Sequence, residues 1–96
     1  MDRQRYVVAQ MAKVLRDSMH DPASFVLTEV IFTDEGAGCY EYRARNGYNA
    51  LRSGKAVFTG IGFITSDKQS DLVQAWNRYC TKPGKSIVNY VNQSVL

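Results

Sequence analysis

Apolar residues recur at three- and four-residue steps through the first part of the chain, at Val7, Val8, Met11, Val14, Leu15 and Met19. Side chains at that spacing share one face of a helix, so a helix is predicted from Asp2 to Met19, with Arg5, Lys13, Arg16 and Asp17 mostly off that face. His20-Asp21-Pro22 ends it, because proline disfavours helical geometry in the residue before it. Asp21 can then cap a short turn that Pro22 opens.

The pattern then changes period. Phe25 to Phe32 is rich in β-branched and aromatic residues and reads as a first strand. Asp34-Glu35-Gly36-Ala37-Gly38 has hairpin-turn chemistry, so a second strand over Cys39 to Arg45 is expected antiparallel to the first. Alternation puts Tyr40, Tyr42 and Ala44 on one face of it and Cys39, Glu41, Arg43 and Arg45 on the other. Asn46-Gly47 is a tight-turn signal, but Tyr48 to Gly54 has poor strand character, and an extended loop is expected there. Strand character returns from Lys55 to Ile64, with Gly60 and Gly62 suggesting a bulge or a close backbone approach.

Ser66-Asp67-Lys68-Gln69 fits a capping box, followed at helical spacing by Leu72, Val73, Trp76, Tyr79 and Cys80. Lys82-Pro83-Gly84-Lys85 breaks that helix, and Ile87, Val88, Tyr90, Val91 and Val95 suggest one more short one. The expected architecture is a single α+β domain over residues 1–96: an N-terminal helix, a small three-stranded antiparallel sheet, and one or two C-terminal helices.

Composition adds limits. At 96 residues, with 45% hydrophobic and 22% charged residues, the chain suits one globular core rather than disorder. No apolar run approaches the roughly 18 residues needed to span a bilayer, and the start of the chain lacks a signal-peptide core. A soluble protein is expected, periplasmic or secreted if a signal has been removed and cytoplasmic otherwise. The net charge of +3 is modest, but it is unevenly placed. Residues 25 to 38 carry only acids, whereas 39 to 55 carry Arg43, Arg45, Arg52 and Lys55 against Glu41 alone.

Candidate chemistry is sparse. Cys39 and Cys80 form either a disulfide, worth roughly 4 kcal/mol on the chain-entropy model, or two separate thiols in a cytosolic protein. With His20 the sole histidine, no zinc ligand set stands out, and no cofactor motif is present. His20 beside Asp21 reads better as a histidine at a helix end than as half of a catalytic pair. Glu29 and Glu41 lie on strands expected to be adjacent, yet nothing marks them as a buried carboxylate pair. Gly36-Ala37-Gly38, Gly60-Ile61-Gly62 and Pro83-Gly84-Lys85-Ser86 lack the spacing of a phosphate loop and read as turns or bulges.

Three stretches together carry a resemblance: Asp21-Pro22-Ala23-Ser24-Phe25, then Cys39 to Tyr48, then Trp76 with Cys80. Their order is similar to that in a group of small bacterial and phage-associated domains of unknown function, from Val14 to Cys80. That group has an Asp-Pro-x-Ser turn and a strand ending in Ala-Arg/Lys-Asn-Gly or Asn-Ser. Its members often look exported, which implies the Cys39–Cys80 bridge by analogy. The chain departs from the group at Asn49-Ala50, where further glycines are usual, and the group supplies no activity to carry over.

The functional expectation is a non-enzymatic protein-binding module, of the kind that serves as an inhibitor or accessory protein. Its surface would be Arg43, Arg45, Tyr48, Asn49 and Arg52, because tyrosine and arginine are enriched at interface hot spots. The alternative is a nucleic-acid or nucleotide binder using the same residues, with rings for bases and guanidinium groups for phosphates.

Overall fold

The computed structural model describes residues 3–60, 62–65 and 69–96. Helix α1 (Arg3–Asp17) lies on the sheet through Val8, Ala9, Ala12 and Leu15, all fully buried. The small Ala9 and Ala12 let its backbone approach closely. Val14 and, to a lesser degree, Val7 face outward instead, so the contact stripe is turned from the one that the large residues alone suggest.

Strand β1 (Val26–Thr33) pairs with β2 (Gly38–Arg45), β2 with β3 (Leu51–Phe58), and β3 with β4 (Phe63–Thr65), each antiparallel. Helix α2 (Gln69–Ala75) runs directly into a π-helical turn, Trp76–Cys80. The chain then returns as β5 (Gly84–Ser86), which pairs with the Ile31–Thr33 end of β1, and closes with α3 (Val88–Ser94). The sheet order is β4-β3-β2-β1-β5.

The three-stranded sheet expected from the sequence is therefore wrong: among the described residues there are five strands. What reads as an extended loop before Lys55 is the first half of β3, paired residue by residue with β2 from Arg45↔Leu51 to Gly38↔Phe58. The single strand expected over Lys55 to Ile64 is split by a turn in which Gly60 takes φ +97°, a conformation that favours glycine. β5 arises inside the segment that reads as a helix breaker. Ser66, Asp67 and Lys68 of the expected capping box lie outside the described residues, and Gln69 is the first residue of α2.

Gly54 explains why β3 is hard to read. It faces Tyr42 across the ladder, and a Cβ there would lie 2.6 Å from Tyr42 Cζ. Glycine makes room for a ring that stacks at 5.3 Å on Phe25, so it marks close packing rather than a turn. Gly54→Ala should destabilise the fold by about 1 to 3 kcal/mol through overpacking, read as a lower urea midpoint at unchanged slope.

The sheet has helices on both faces. On one, α1 and α3 cover Leu27, Val30, Tyr40, Tyr42, Ala56 and Phe58. Tyr40 is fully buried and donates its hydroxyl to the carbonyl of Val8 at 2.5 Å, tying sheet to α1. Burial pushes its pKa well above the ordinary tyrosine value. On the other face, Leu72 and Ala75 of α2 pack on Val57, with Ile64, Trp76, Tyr79 and Cys80 around them. A Cys39–Cys80 disulfide joins β2 to the π-helical turn there, with Cα atoms 5.9 Å apart. Of the two alternatives open in the sequence, the bridge is the one present.

Candidate functional site: an open basic half of the sheet

α2 reaches only one end of its face of the sheet. At the other end, towards the β2–β3 hairpin, Arg43, Arg45, Leu51, Ser53 and Lys55 are all exposed. Alternation puts them on the same side as Cys39 and Val57, away from α1. A shallow concavity of about 500 Å³ lies here, lined by Thr28, Glu41, Arg43, Ser53, Lys55 and Leu72 among others.

The charges have defined neighbours. Lys55 Nζ lies 3.8 Å from Glu41 Oε1 and 4.5 Å from the ring centroid of Trp76. The ammonium is thus held between a carboxylate and an aromatic face. Glu29 stands opposite Glu41 across the β1–β2 ladder. Like charges in that position repel, and Glu29 is engaged elsewhere, accepting from the Ser86 hydroxyl and from the Val30 amide. The two carboxylates therefore have separate partners. His20 is exposed, and among the described residues no three His, Cys, Asp or Glu side chains gather as a metal site would require.

The hairpin loop between β2 and β3 is built on Asn46. Its Oδ1 accepts from the amides of Tyr48 (2.9 Å) and Ala50 (3.1 Å), while its own amide donates to Ala50 O and its carbonyl accepts from Asn49 N. Asn49 adopts φ +61°, which asparagine tolerates better than most side chains. The β1–β2 loop has the same plan. Thr33 Oγ1 accepts from the Ala37 amide, Gly36 N donates to Thr33 O, and Gly36 takes φ +88°. Asn46-Gly47 is thus the start of a five-residue loop rather than the centre of a two-residue turn. The signal available in the sequence is the equal spacing, Thr33 to Gly36 and Asn46 to Asn49.

The five residues expected to form a binding surface do not share one face. Arg43 and Arg45 stand on the open half, and Arg45 Nη1 reaches the carbonyl of Asn49 at 3.4 Å. Tyr48, 93% exposed, stands at the loop tip. Arg52 pairs with Ala44 in the ladder and so points to the opposite face. Asn49 has a conformational role that accounts for its identity. Ser24, from the Asp-Pro-x-Ser turn, donates its hydroxyl to Asp21 O and accepts from the Arg45 amide at 2.8 Å. That motif buttresses the end of β2, and it does so through Ser24, since the Asp21 side chain makes no capping hydrogen bond.

Compared with protein families, curated proteins and solved structures, the chain matches none. Among the described residues no helix is long and apolar enough to cross a membrane.

Proposed function

We propose that this chain is a small non-enzymatic protein-binding module, of the inhibitor or accessory type, that engages its partner through the hairpin end of β2 and β3. The observation that supports it is the combination, at one end of the sheet, of the exposed cations Arg43, Arg45 and Arg52 with an exposed Tyr48 on an ordered loop. A ring held by a hydrogen-bonded loop loses little freedom on docking, and arginine beside tyrosine is a composition enriched in hot spots. An oxidising compartment is part of this reading. The Cys39–Cys80 bridge supports it, because such bonds persist where thiols are not kept reduced.

A photo-crosslinking amino acid in place of Tyr48, introduced in the cells that make the protein, should trap a protein. Adding Arg45→Ala or Arg52→Ala should each weaken the association by about tenfold, about 1.4 kcal/mol, with thermal unfolding unchanged. Trapping that survives both substitutions would reject this surface. Crosslinks that nuclease removes, with a yield falling steeply between low and moderate salt, would favour the nucleic-acid alternative.

A further inference from the structure

Strand β3 is longer than the strand beside it. Its outer edge meets β4 only from Ala56 to Phe58, and among the described residues no strand pairs with that edge at Leu51–Ser53. The direction of the backbone groups there follows from the hairpin. Asn46 N donates to Ala50 O, which makes 46 and 50 a hydrogen-bonded pair, and in an antiparallel ladder such pairs recur at every second position. Arg52 and Gly54 therefore turn their N–H and C=O groups towards β2, whereas Leu51 and Ser53 turn theirs outward. The amide of Arg45, opposite Leu51, agrees with this phase: it points away from β3 and is taken up by Ser24.

The side chains around this edge carry one sign. From residue 43 to residue 55 every ionisable side chain apart from Tyr48 is a lysine or arginine: Arg43, Arg45, Arg52 and Lys55. Arg52 projects on one side of the edge, and Arg43 and Arg45 stand one strand further in on the other. An incoming strand would thus meet positive charge on both of its faces, so its alternating side chains are best matched by acids on each. A second copy of this chain is the poorer occupant. Pairing of β3 with β3 across a twofold axis would bring Arg52 near its own counterpart, and like charges across a strand pair repel.

Resting on the protein-binding reading above, we infer that the partner is an acidic, extended peptide segment that adds as a sixth strand to the outer edge of β3 at Leu51–Ser53. The outward N–H and C=O of Leu51 and Ser53 supply main-chain hydrogen bonds, and the arginines on the two faces select acidic side chains. Tyr48, at the loop beyond the edge, packs against the end of the added strand.

The test uses the whole chain and a fluorescent peptide of repeated Glu-Glu-Val-Thr, which as a strand places glutamates on both faces. Binding should shift the amide resonances of Leu51 and Ser53 and protect them from exchange. Ser53→Pro should weaken it by about tenfold or more, because it removes an outward N–H without touching the β2 ladder. Arg52→Ala should weaken it several-fold. A peptide N-methylated at every amide should not bind, because no register then offers N–H groups to β3, which tests the hydrogen bonding even if Ser53→Pro proves unstable. Equal affinity for the N-methylated peptide would overturn strand addition and leave only charge attraction. A dimer of this chain lost in Ser53→Pro would overturn the acidic partner in favour of a second copy. Absence of peptide binding while the Tyr48 crosslinker still traps a protein would overturn this inference and leave the surface reading standing. Failure of both would remove the surface as well.

Discussion

Removing the Cys39–Cys80 bridge, by reduction or by Cys39→Ala with Cys80→Ala, should lower the stability of the fold by about 4 kcal/mol. The bridge spans a sequence separation of 41, and the chain-entropy cost of leaving such a loop open in the unfolded ensemble sets that figure. A domain of this size is commonly stable by only about 5 to 15 kcal/mol, so the loss is a large share of the whole. It should also be unevenly distributed. The core under α2 is small, built on Val57, Leu72 and Ala75 with Ile64, Trp76 and Tyr79 around them, so the bridge is a large part of what ties that segment to the sheet. Urea unfolding with and without reductant measures the total, and amide exchange should show the segment from Leu72 to Cys80 opening before α1. Equal midpoints in the two conditions would contradict the account. Alkylation should give no mass shift until reductant is added, since the described chain has no free cysteine.

The second large effect centres on Tyr40. Tyr40→Ala should cost about 3 to 5 kcal/mol, the usual range for deleting a fully buried aromatic side chain. Tyr40→Phe should cost only about 1 kcal/mol, for the hydrogen bond to Val8 O. The wild-type chain and Tyr40→Phe should differ more clearly in alkali. Burial raises the folded-state pKa of Tyr40 above its unfolded value near 10.0. The folded state thus keeps a proton that the unfolded state gives up. Stability from this source is fully present below about pH 10 and is lost as pH rises above it. The wild-type chain should therefore lose stability more steeply with alkali than Tyr40→Phe. Parallel pH profiles for the two proteins would sink this explanation.

Much of the fold is legible in the residues, and the failures have physical causes. The alternation in β2 separates buried Tyr40 and Tyr42 from outward Arg43 and Arg45 because that strand is central and has one face under α1. β3 is illegible because, among the described residues, no helix covers the open face of its first half. Its residues there, Leu51 to Lys55, carry no hydrophobic alternation, and Gly54 answers to the ring of Tyr42 rather than to a turn. β5 is defined by pairing with Ile31–Thr33, and all three of its residues are exposed. No local pattern could announce it. The same gap blurs the site. Which way Arg52 points depends on register with Ala44, and among the described residues the edge at Leu51–Ser53 is set by how far β4 pairs along β3, neither of which is written in the segment itself.

The order of the strands has a kinetic consequence. β1 to β4 form a meander in which every partner is the next strand along, so its hairpins need only short loop closures. β5 is the exception, since it comes last in sequence and pairs with the first strand after the chain has passed over the far face as α2. Closing that long loop is costly until α3 lands on β1 and Val91 enters the core. The meander should therefore assemble early and the C-terminal segment last. Until it does, the flank of β1 is the second strand edge that this small sheet has to protect.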